Sequence, residues 1–209
     1  MALASYADLQ AAVALWLKRT DLTAMIPDFI TLVEGRLARD LRLRKQITSA
    51  TLTTIAGVNT LDLPVDWIET ENLGVVASGV VRSLTVMSPE QMDVRFPFGL
   101  RQGVPVAYAP IGSTMVLGPT PDAAYDIPVS YYARFPALVA STRGAGANWL
   151  LTNHPALYLF GTLAEASVFM LDDERAALWE QKYRTEALAL VQADENATRS
   201  GAAMRVRNL

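Results

Sequence analysis

NWLLTNHPALYLFGTLAEASVFMLDD, residues 148–173, is the stretch of this sequence that decides the fold. An aromatic and apolar opening leads to a helix-start signal at residues 153–155, and an apolar stripe with spacings of three and four follows. Gly161 and Ala164 add little bulk to this stripe, so a second helix can approach closely there. We therefore predict a central helix that packs against other helices. Its packing positions, with one more on the last helix, are Trp149, Leu157, Phe160, Gly161, Ala164 and Trp179.

Two helices are predicted before the middle of the chain. Ser5 is a suitable N-cap for the first, and the second begins near Pro27 and has the cleanest amphipathic spacing in the sequence. Its end is basic. Either these arginines form a solvated face that complements the helix dipole, or they contact an acidic partner surface or passing DNA phosphates. The residues concerned are Arg36, Arg39, Arg42 and Arg44.

The middle of the chain changes to a strand pattern. Residues 46–147 contain threonine-rich and β-branched runs separated by turn residues, which predicts roughly six strands in a small antiparallel unit. Ser88, followed by Pro89 and Gln91, is a capping box for a short helix within this unit. Pro128 demotes the last strand to a sheet edge or a bulge, because proline cannot donate to a ladder.

The last helix is predicted to begin at the acidic pair Asp172 and Asp173, with Glu180 and Arg184 pairing across one turn. Residues 196–209, NATRSGAAMRVRNL, lack a period and are expected to form a flexible tail, called the C-terminal segment below. The predicted fold class is α+β. Residues 1–45 and 148–195 form one helical bundle, residues 46–147 are a β-rich insertion, and the C-terminal segment extends from the bundle.

The composition limits the classes of function. Apolar residues make up 51% of the chain against 19% charged, and the mean hydropathy is +0.20, so surface beyond one core is expected to be buried against other subunits. The net charge of −3 argues against a generally basic nucleic-acid-binding surface. No run is long enough to span a membrane, and the N-terminal sequence lacks the pattern of a secretory signal.

No arrangement of residues predicts catalysis or a bound cofactor. The sequence has no cysteine and one histidine, His154, whose position before a proline suits a helix cap better than a general base. The acidic cluster at residues 172–174 is better explained as a helix cap than as a metal site, because hard cations need ligands from several loops. We therefore expect a protein that is not an enzyme and holds no metal or cofactor.

Several stretches in this order resemble a known family. They are the N-terminal YADLQAAVALWLKRTDLTAMIPDFITLVEGRLARDLR, the turn LPVDW, the segment VPVAYAPIGSTMVLGPTPDAAYDIPVSYYARFPAL, and NWLLTNHPALYLFGTLAEASVFMLDDERAALWEQKY. Together they are similar to the head-to-tail adaptor, or connector, proteins of tailed bacteriophages, with the best likeness to those of short-tailed phages. The resemblance covers nearly the whole chain from Tyr6 to about Asp194.

The resemblance implies a structural virion protein that assembles as a ring, typically dodecameric, below the portal after DNA packaging. Its partners would be the portal protein, phage tail proteins of the nozzle, tube or fibre, and further copies of itself. The arginines at the end of the second helix would then line the lumen of the ring and contact DNA there without sequence specificity. It would lie in the virion neck after assembly in the bacterial cytoplasm, without contacting a membrane. The portal-contact candidates in the C-terminal segment are Arg199, Met204, Arg205, Val206 and Arg207.

Two alternatives stay open at this point. Another neck, tail-completion or capsid-associated protein would share every compositional feature and differ in its partner. An enzyme such as a virion hydrolase would need clustered carboxylates, which the sequence does not show.

Overall fold

The computed structural model describes residues 3–97, 101–138 and 146–200 of the 209. In chain order the helices are α1 (Tyr6–Leu17), α2 (Ile26–Asp40), α3 (Pro89–Arg95), α4 (Trp149–Asn153), α5 (Pro155–Phe169) and α6 (Asp173–Ser200). The strands are β1 (Ile47–Thr53), β2 (Thr60–Asp62), β3 (Trp67–Ala77), β4 (Val80–Ser83), β5 (Thr85–Val86), β6 (Ala107–Ile111), β7 (Thr114–Gly118) and β8 (Asp126–Ala133). The chain divides into two compact units. The helical unit comprises Met1–Leu43 with Phe135–Leu209, and the sheet unit comprises Arg44–Arg134.

The architecture is a mixed α+β fold with an N-terminal helix pair, two sheets in the middle and helices at the C-terminus. The prediction of one helical bundle with a small antiparallel insertion is therefore wrong. The middle of the chain forms two four-stranded sheets with their own cores, and one sheet contains a parallel pair. The expected C-terminal tail is also wrong for its first residues, because α6 continues to Ser200. Extending an existing helix needs no new nucleus, so a weak pattern suffices.

Local capping signals fix several helix starts. The Ser5 hydroxyl accepts from the Asp8 backbone N–H at 3.1 Å and begins α1. At α3 the Ser88 hydroxyl accepts from the Gln91 N–H, and the Gln91 side chain accepts in turn from the Ser88 N–H. The capping box predicted from the sequence is thus confirmed. Each such cap stabilises its helix by about 1 kcal/mol.

Helix α5 is central to the helical unit. Its side chains at Leu157, Leu163 and Ala166 are buried in one core cluster with residues of α1, α2, α4 and α6. Burying a leucine or valine fully contributes roughly 1.5–3 kcal/mol relative to leaving it in water. A helix that is apolar nearly all round therefore gains stability only when helices surround it.

The sheet unit packs two sheets face to face. The first sheet has the order β1-β8-β3-β4 and is antiparallel throughout, and the second has the order β2-β7-β6-β5, with β5 parallel to β6. One core cluster joins Leu73 and Ile127 of the first sheet to Met115 and Leu117 of the second. On its other face the second sheet packs against α3, through Met92.

Two details of the sheets differ from the sequence prediction. The expected single strand at residues 80–86 is two strands, because the chain leaves the first sheet at Leu84, whose N–H still bonds Leu73 O, and enters the second at Thr85. Strand β8 lies inside its sheet although it contains Pro128. Pro128 lies opposite Thr51 of β1 in a pair that exchanges no backbone hydrogen bonds, because the bonded residues alternate from Thr54, which donates to Tyr125 O. On the other side the ladder with β3 ends at Leu73 and Val129, the residue after the proline, so the missing N–H breaks no ladder bond.

Candidate functional site

Gly161 marks the closest approach of three helices. A Cβ atom at this position of α5 would lie 2.9 Å from Val33 Cγ1 of α2 and 3.3 Å from Tyr183 Cδ2 of α6. The predicted packing residues Leu157 and Ala164, on the same helix, are buried. The absence of a side chain at Gly161 is therefore what lets α2 and α6 pack tightly on α5.

Three aromatic rings from α1, α5 and α6 form a cluster at the surface of the helical unit. Phe160 stacks on Trp179 with 5.8 Å between ring centroids, and Trp16 lies 5.5 Å from Trp179. The ammonium group of Lys182 lies 5.5 Å from the Phe160 ring centroid. Trp16 keeps 47% of its surface exposed, so this cluster leaves aromatic surface in contact with solvent while it holds three helices together.

The remaining predicted packing residue lies near the start of α5. Trp149 stacks on Phe135 at 5.9 Å and also contacts the His154 ring at 5.4 Å. His154 occupies the N-cap position of α5 without a capping hydrogen bond from its side chain. The His154 ring therefore packs against Trp149, and its side chain does not form the capping hydrogen bond expected of it.

The four arginines of the predicted series have different surroundings. Arg36 donates to Glu165 Oε1 at 2.9 Å and to Glu180 Oε2 at 2.7 Å, and its guanidinium carbon lies 4.4 Å from the Tyr183 ring centroid. Arg42 donates to backbone carbonyls, Arg39 is exposed on α2, and Arg44 lies in a 3-10 turn of the sheet unit. The Arg36 guanidinium is paired with carboxylates of two other helices. DNA contact by the four arginines stays a prediction.

The Arg36 network ties α2, α5 and α6 through charge. Glu180 also accepts from Arg184 at 2.7 Å, which confirms the pair expected across one turn. Burial alone would raise the pKa of Glu180, but the hydrogen bonds from Arg36 and Arg184 outweigh it and hold that pKa below its ordinary value. Beside this network the Tyr183 hydroxyl donates to Asp40 at 2.9 Å.

A second polar group holds the chain that enters α4. Glu34 of α2 accepts the Leu138 backbone N–H at 2.8 Å, and Asn148 donates to Pro136 O and to the Tyr158 hydroxyl at 2.9 and 2.7 Å. Burial raises the pKa of Glu34, although the bond from Leu138 opposes the shift. Glu34 gives no signal in the sequence, because a lone acidic residue on a helix carries no pattern.

The portal-contact candidates lie at the end of the chain. Arg199 is in the last turn of α6, and Met204, Arg205, Val206 and Arg207 lie outside the described residues. In the described ranges no group of three or more acidic, histidine or cysteine residues is placed to hold a metal ion. Over the same part of the chain, none of the helices has the length and hydropathy that crossing a bilayer requires.

The surfaces described so far serve packing and contact, and a comparison with known families agrees with them. The family model for the SU10 adaptor protein matches residues 4–207, nearly the entire chain. The protein belongs to the SU10 adaptor protein family. No individual curated protein gives a significant match.

Membership of the SU10 adaptor family makes the chain a structural bacteriophage protein and not an enzyme. An adaptor of this family is located in the virion neck and interacts with portal and phage tail proteins in general. The resemblance noted in the sequence is thus confirmed at the level of a phage adaptor.

Proposed function

We propose that this SU10 adaptor protein is the head-to-tail adaptor of a short-tailed phage. Copies of it form a ring, dodecameric by resemblance, beneath the portal after DNA packaging, and the ring is the platform on which the phage tail assembles. The observation that carries the proposal is the family match over residues 4–207. Exposed apolar side chains of the helical unit, among them Trp16 and Leu32, support it.

Neighbouring copies would cover apolar surface that one copy leaves in water. In the helical unit Leu15 and Trp16 of α1 are 58% and 47% exposed, and Leu32 of α2 is 55% exposed. Exposed apolar residues are normal singly, but a clustered aromatic face is characteristic of a contact surface. The surface of α1 around Trp16 is therefore our candidate for contact between adjacent subunits.

The C-terminal segment would contact the portal. Among the described residues of α6, Val191 is the last that packs against the core cluster of the helical unit, so we expect a chain that ends at Ser200 to keep the described core. The segment carries three arginines, Arg199, Arg205 and Arg207, for carboxylates of a partner, and the last two lie beyond Ser200. If it orders only on the portal, its entropy cost makes ring formation conditional on portal binding.

The test is the native mass of the full-length protein, measured alone and after mixing with the portal protein of the same phage. We expect a small species alone and a ring-sized complex with the portal. A truncated protein lacking residues 201–209 should lose portal attachment while its thermal unfolding stays unchanged. The matched control is the full-length double variant Arg205→Gln, Arg207→Gln, which should weaken attachment less than the truncation does. Its difference from the wild type should shrink at high salt, because salt screens the arginine charges of the wild type.

The outcomes separate the parts of the proposal. Normal portal attachment by the truncated protein would remove the role of the C-terminal segment and leave the ring intact. If the full-length protein does not bind the portal protein but binds a phage tail or capsid protein, it is a tail-completion or capsid-associated protein instead.

A further inference from the structure

The first sheet ends on both sides in an open edge. In the order β1-β8-β3-β4, strands β1 and β4 each pair on one side only within the described part of the chain. All four residues of β4 are exposed, as are most residues of β1. Each edge therefore presents backbone N–H and C=O groups to solvent.

Neither edge strand contains a lysine, a proline or a bulge. Natural proteins protect such edges with lysines, prolines or bulges. Strand β1 reads ITSATLT and carries no charge, and its register with β8 is continuous over seven residues. Strand β4 reads VVRS, and Arg82 is its single charged residue. Edges of this kind are suited to strand addition.

We propose that a second copy of this chain covers each edge, with β1 of one copy pairing with β4 of the next. The four-stranded sheets of all copies would then join into one continuous sheet around the ring. The inference rests on the ring assembly proposed above and names a contact within it. A closed ring of sheets leaves no open edge, so neither β1 nor β4 remains available for aggregation with other chains.

Strand direction fits this junction. Strands β1 and β3 run one way and β8 and β4 the other, because every pairing in this sheet is antiparallel. Rotation about an axis along the strands preserves direction, so β1 of the next copy is antiparallel to β4. A junction of β1 with β1, or of β4 with β4, needs a two-fold axis and gives pairs rather than rings.

The outward hydrogen-bonding groups can be identified on each edge. Thr54 donates its N–H to Tyr125 O at 3.0 Å, and inward and outward residues alternate along an antiparallel strand, so Thr51 and Thr53 present their groups at the open edge. Leu84 donates to Leu73 O at 2.9 Å, so Val81 and Ser83 are the outward residues of β4.

The levels of these residues on the sheet also agree. Arg82 pairs with Val75, and Leu52 pairs with Ile127. The ladder pair Leu73 and Val129, continued by two residues, places Val75 beside Ile127. A Cβ at Gly74 would lie 3.7 Å from Pro128 Cγ, which supports this step.

Arg82 and Leu52 therefore lie at the same level and on the same face. With Arg82 opposite Leu52 of the next copy, Val81 meets Thr53 and Ser83 meets Thr51. All four are outward residues, so both pairs can exchange backbone hydrogen bonds.

The experiment places a cysteine at each side of the junction. The natural chain has no cysteine, so any disulfide in the double variant Leu52→Cys, Arg82→Cys comes from these positions. A non-hydrogen-bonded antiparallel pair has Cα atoms about 4.5 Å apart, within the range of a disulfide. The full-length variant, mixed with portal protein and oxidised, should give a denaturing-gel ladder of covalent oligomers up to the ring number.

The control is Thr51→Cys, Arg82→Cys, whose two side chains lie on opposite faces of the sheet and should give no ladder. A wild-type ring without a ladder in the test variant would overturn the shared sheet while leaving the ring proposal standing. Failure of the wild-type protein to form any ring would overturn the ring proposal and the junction with it.

A second pair of variants tests the junction without covalent trapping. Thr51→Pro removes an outward N–H that the ladder with β8 does not use, whereas Thr51→Ala keeps it. We expect Thr51→Pro to lose ring closure, Thr51→Ala to assemble like the wild type, and both to unfold at similar temperatures. Equal assembly by the two variants would contradict the proposal.

Discussion

Gly161 shows how one residue sets the distance between helices. Gly161→Ala would place a Cβ atom 2.9 Å from Val33 Cγ1, so the Val33 side chain, or α2 with it, has to shift. We expect a net loss of about 1–2 kcal/mol of unfolding free energy, since overpacking outweighs the helix propensity that alanine gains. Urea unfolding measures it.

The matched control is Gly35→Ala on α2, where the nearest atom to a new Cβ is Arg39 Nη1 at 3.9 Å. At this position only the higher helix propensity of alanine acts, so this variant should gain about 0.5–1 kcal/mol of unfolding free energy. If both variants change stability in the same direction, the close approach at Gly161 does not control packing.

Glu34 predicts a dependence of stability on pH. Burial raises the pKa of its carboxyl group in the folded protein, so the folded state binds the proton more tightly than the unfolded state. Because the folded state binds this proton more tightly, protonation of Glu34 stabilises the fold. This stabilisation is fully present below the unfolded-state pKa of about 4.3 and is lost as pH rises through the folded-state pKa.

Glu34→Gln keeps an oxygen that can accept the Leu138 N–H but removes the charge. We expect the melting temperature of this variant to exceed that of the wild type at pH 7 and the difference to shrink at pH 4. Thermal unfolding at the two pH values is the measurement. A difference that stays constant would show that the carboxylate is not destabilised by burial.

At the scale of elements, Arg36 joins three helices that are distant in sequence. Its side chain is 19% exposed, and its partners Glu165 and Glu180 are 22% and 29% exposed. Arg36→Met leaves both carboxylates without this cation, so we expect a loss of about 2 kcal/mol of unfolding free energy at pH 7.

The comparison variant is Arg184→Met, because Arg184 shares Glu180 but is 73% exposed. It should cost at most about 0.5 kcal/mol. Because Glu180 has a lowered pKa in the folded state, its stabilising contribution is lost as pH falls, and the deficit of Arg36→Met should shrink near pH 3. Equal losses in the two variants would mean that the network adds nothing beyond surface pairing.

Elements with a local cause were predictable from the sequence. The Ser5 cap and the Ser88 capping box depend on side chains within one turn, and both were recognised from spacing alone. The arrangement of strands was not predictable, because pairing partners are far apart in sequence. Nothing near Leu84 signals that the chain changes sheets there, and Pro128 signals an edge only if its own N–H is needed for pairing.

The candidate site residues were likewise predictable from the sequence only where a local pattern reveals them. Small and aromatic residues at helical spacing identified the packing positions around Gly161 and Phe160, because burial imposes the period. The arginines of α2 looked alike in sequence, and only tertiary contacts separate the paired Arg36 from the exposed Arg39. Open strand edges left no signal either, since they are defined by neighbours that are missing.

At the scale of the whole molecule, two units of different character serve an adaptor. The helical unit is organised around one buried helix, α5, and held further by the Arg36 network, so we regard it as the rigid part of each subunit. The sheet unit has open edges, and we infer that it supplies pairing between copies. Each unit has its own core, so variants in one can be compared without unfolding the other.

The first sheet has an even number of strands, and this parity has a consequence for assembly. With four alternating strands per copy, every junction has the same antiparallel polarity whether few or many copies close the circle. An odd number would force a parallel contact at each boundary. Strand polarity thus fixes the direction in which subunits add to the ring but not the number of subunits. That number has to be set by a template outside the sheet.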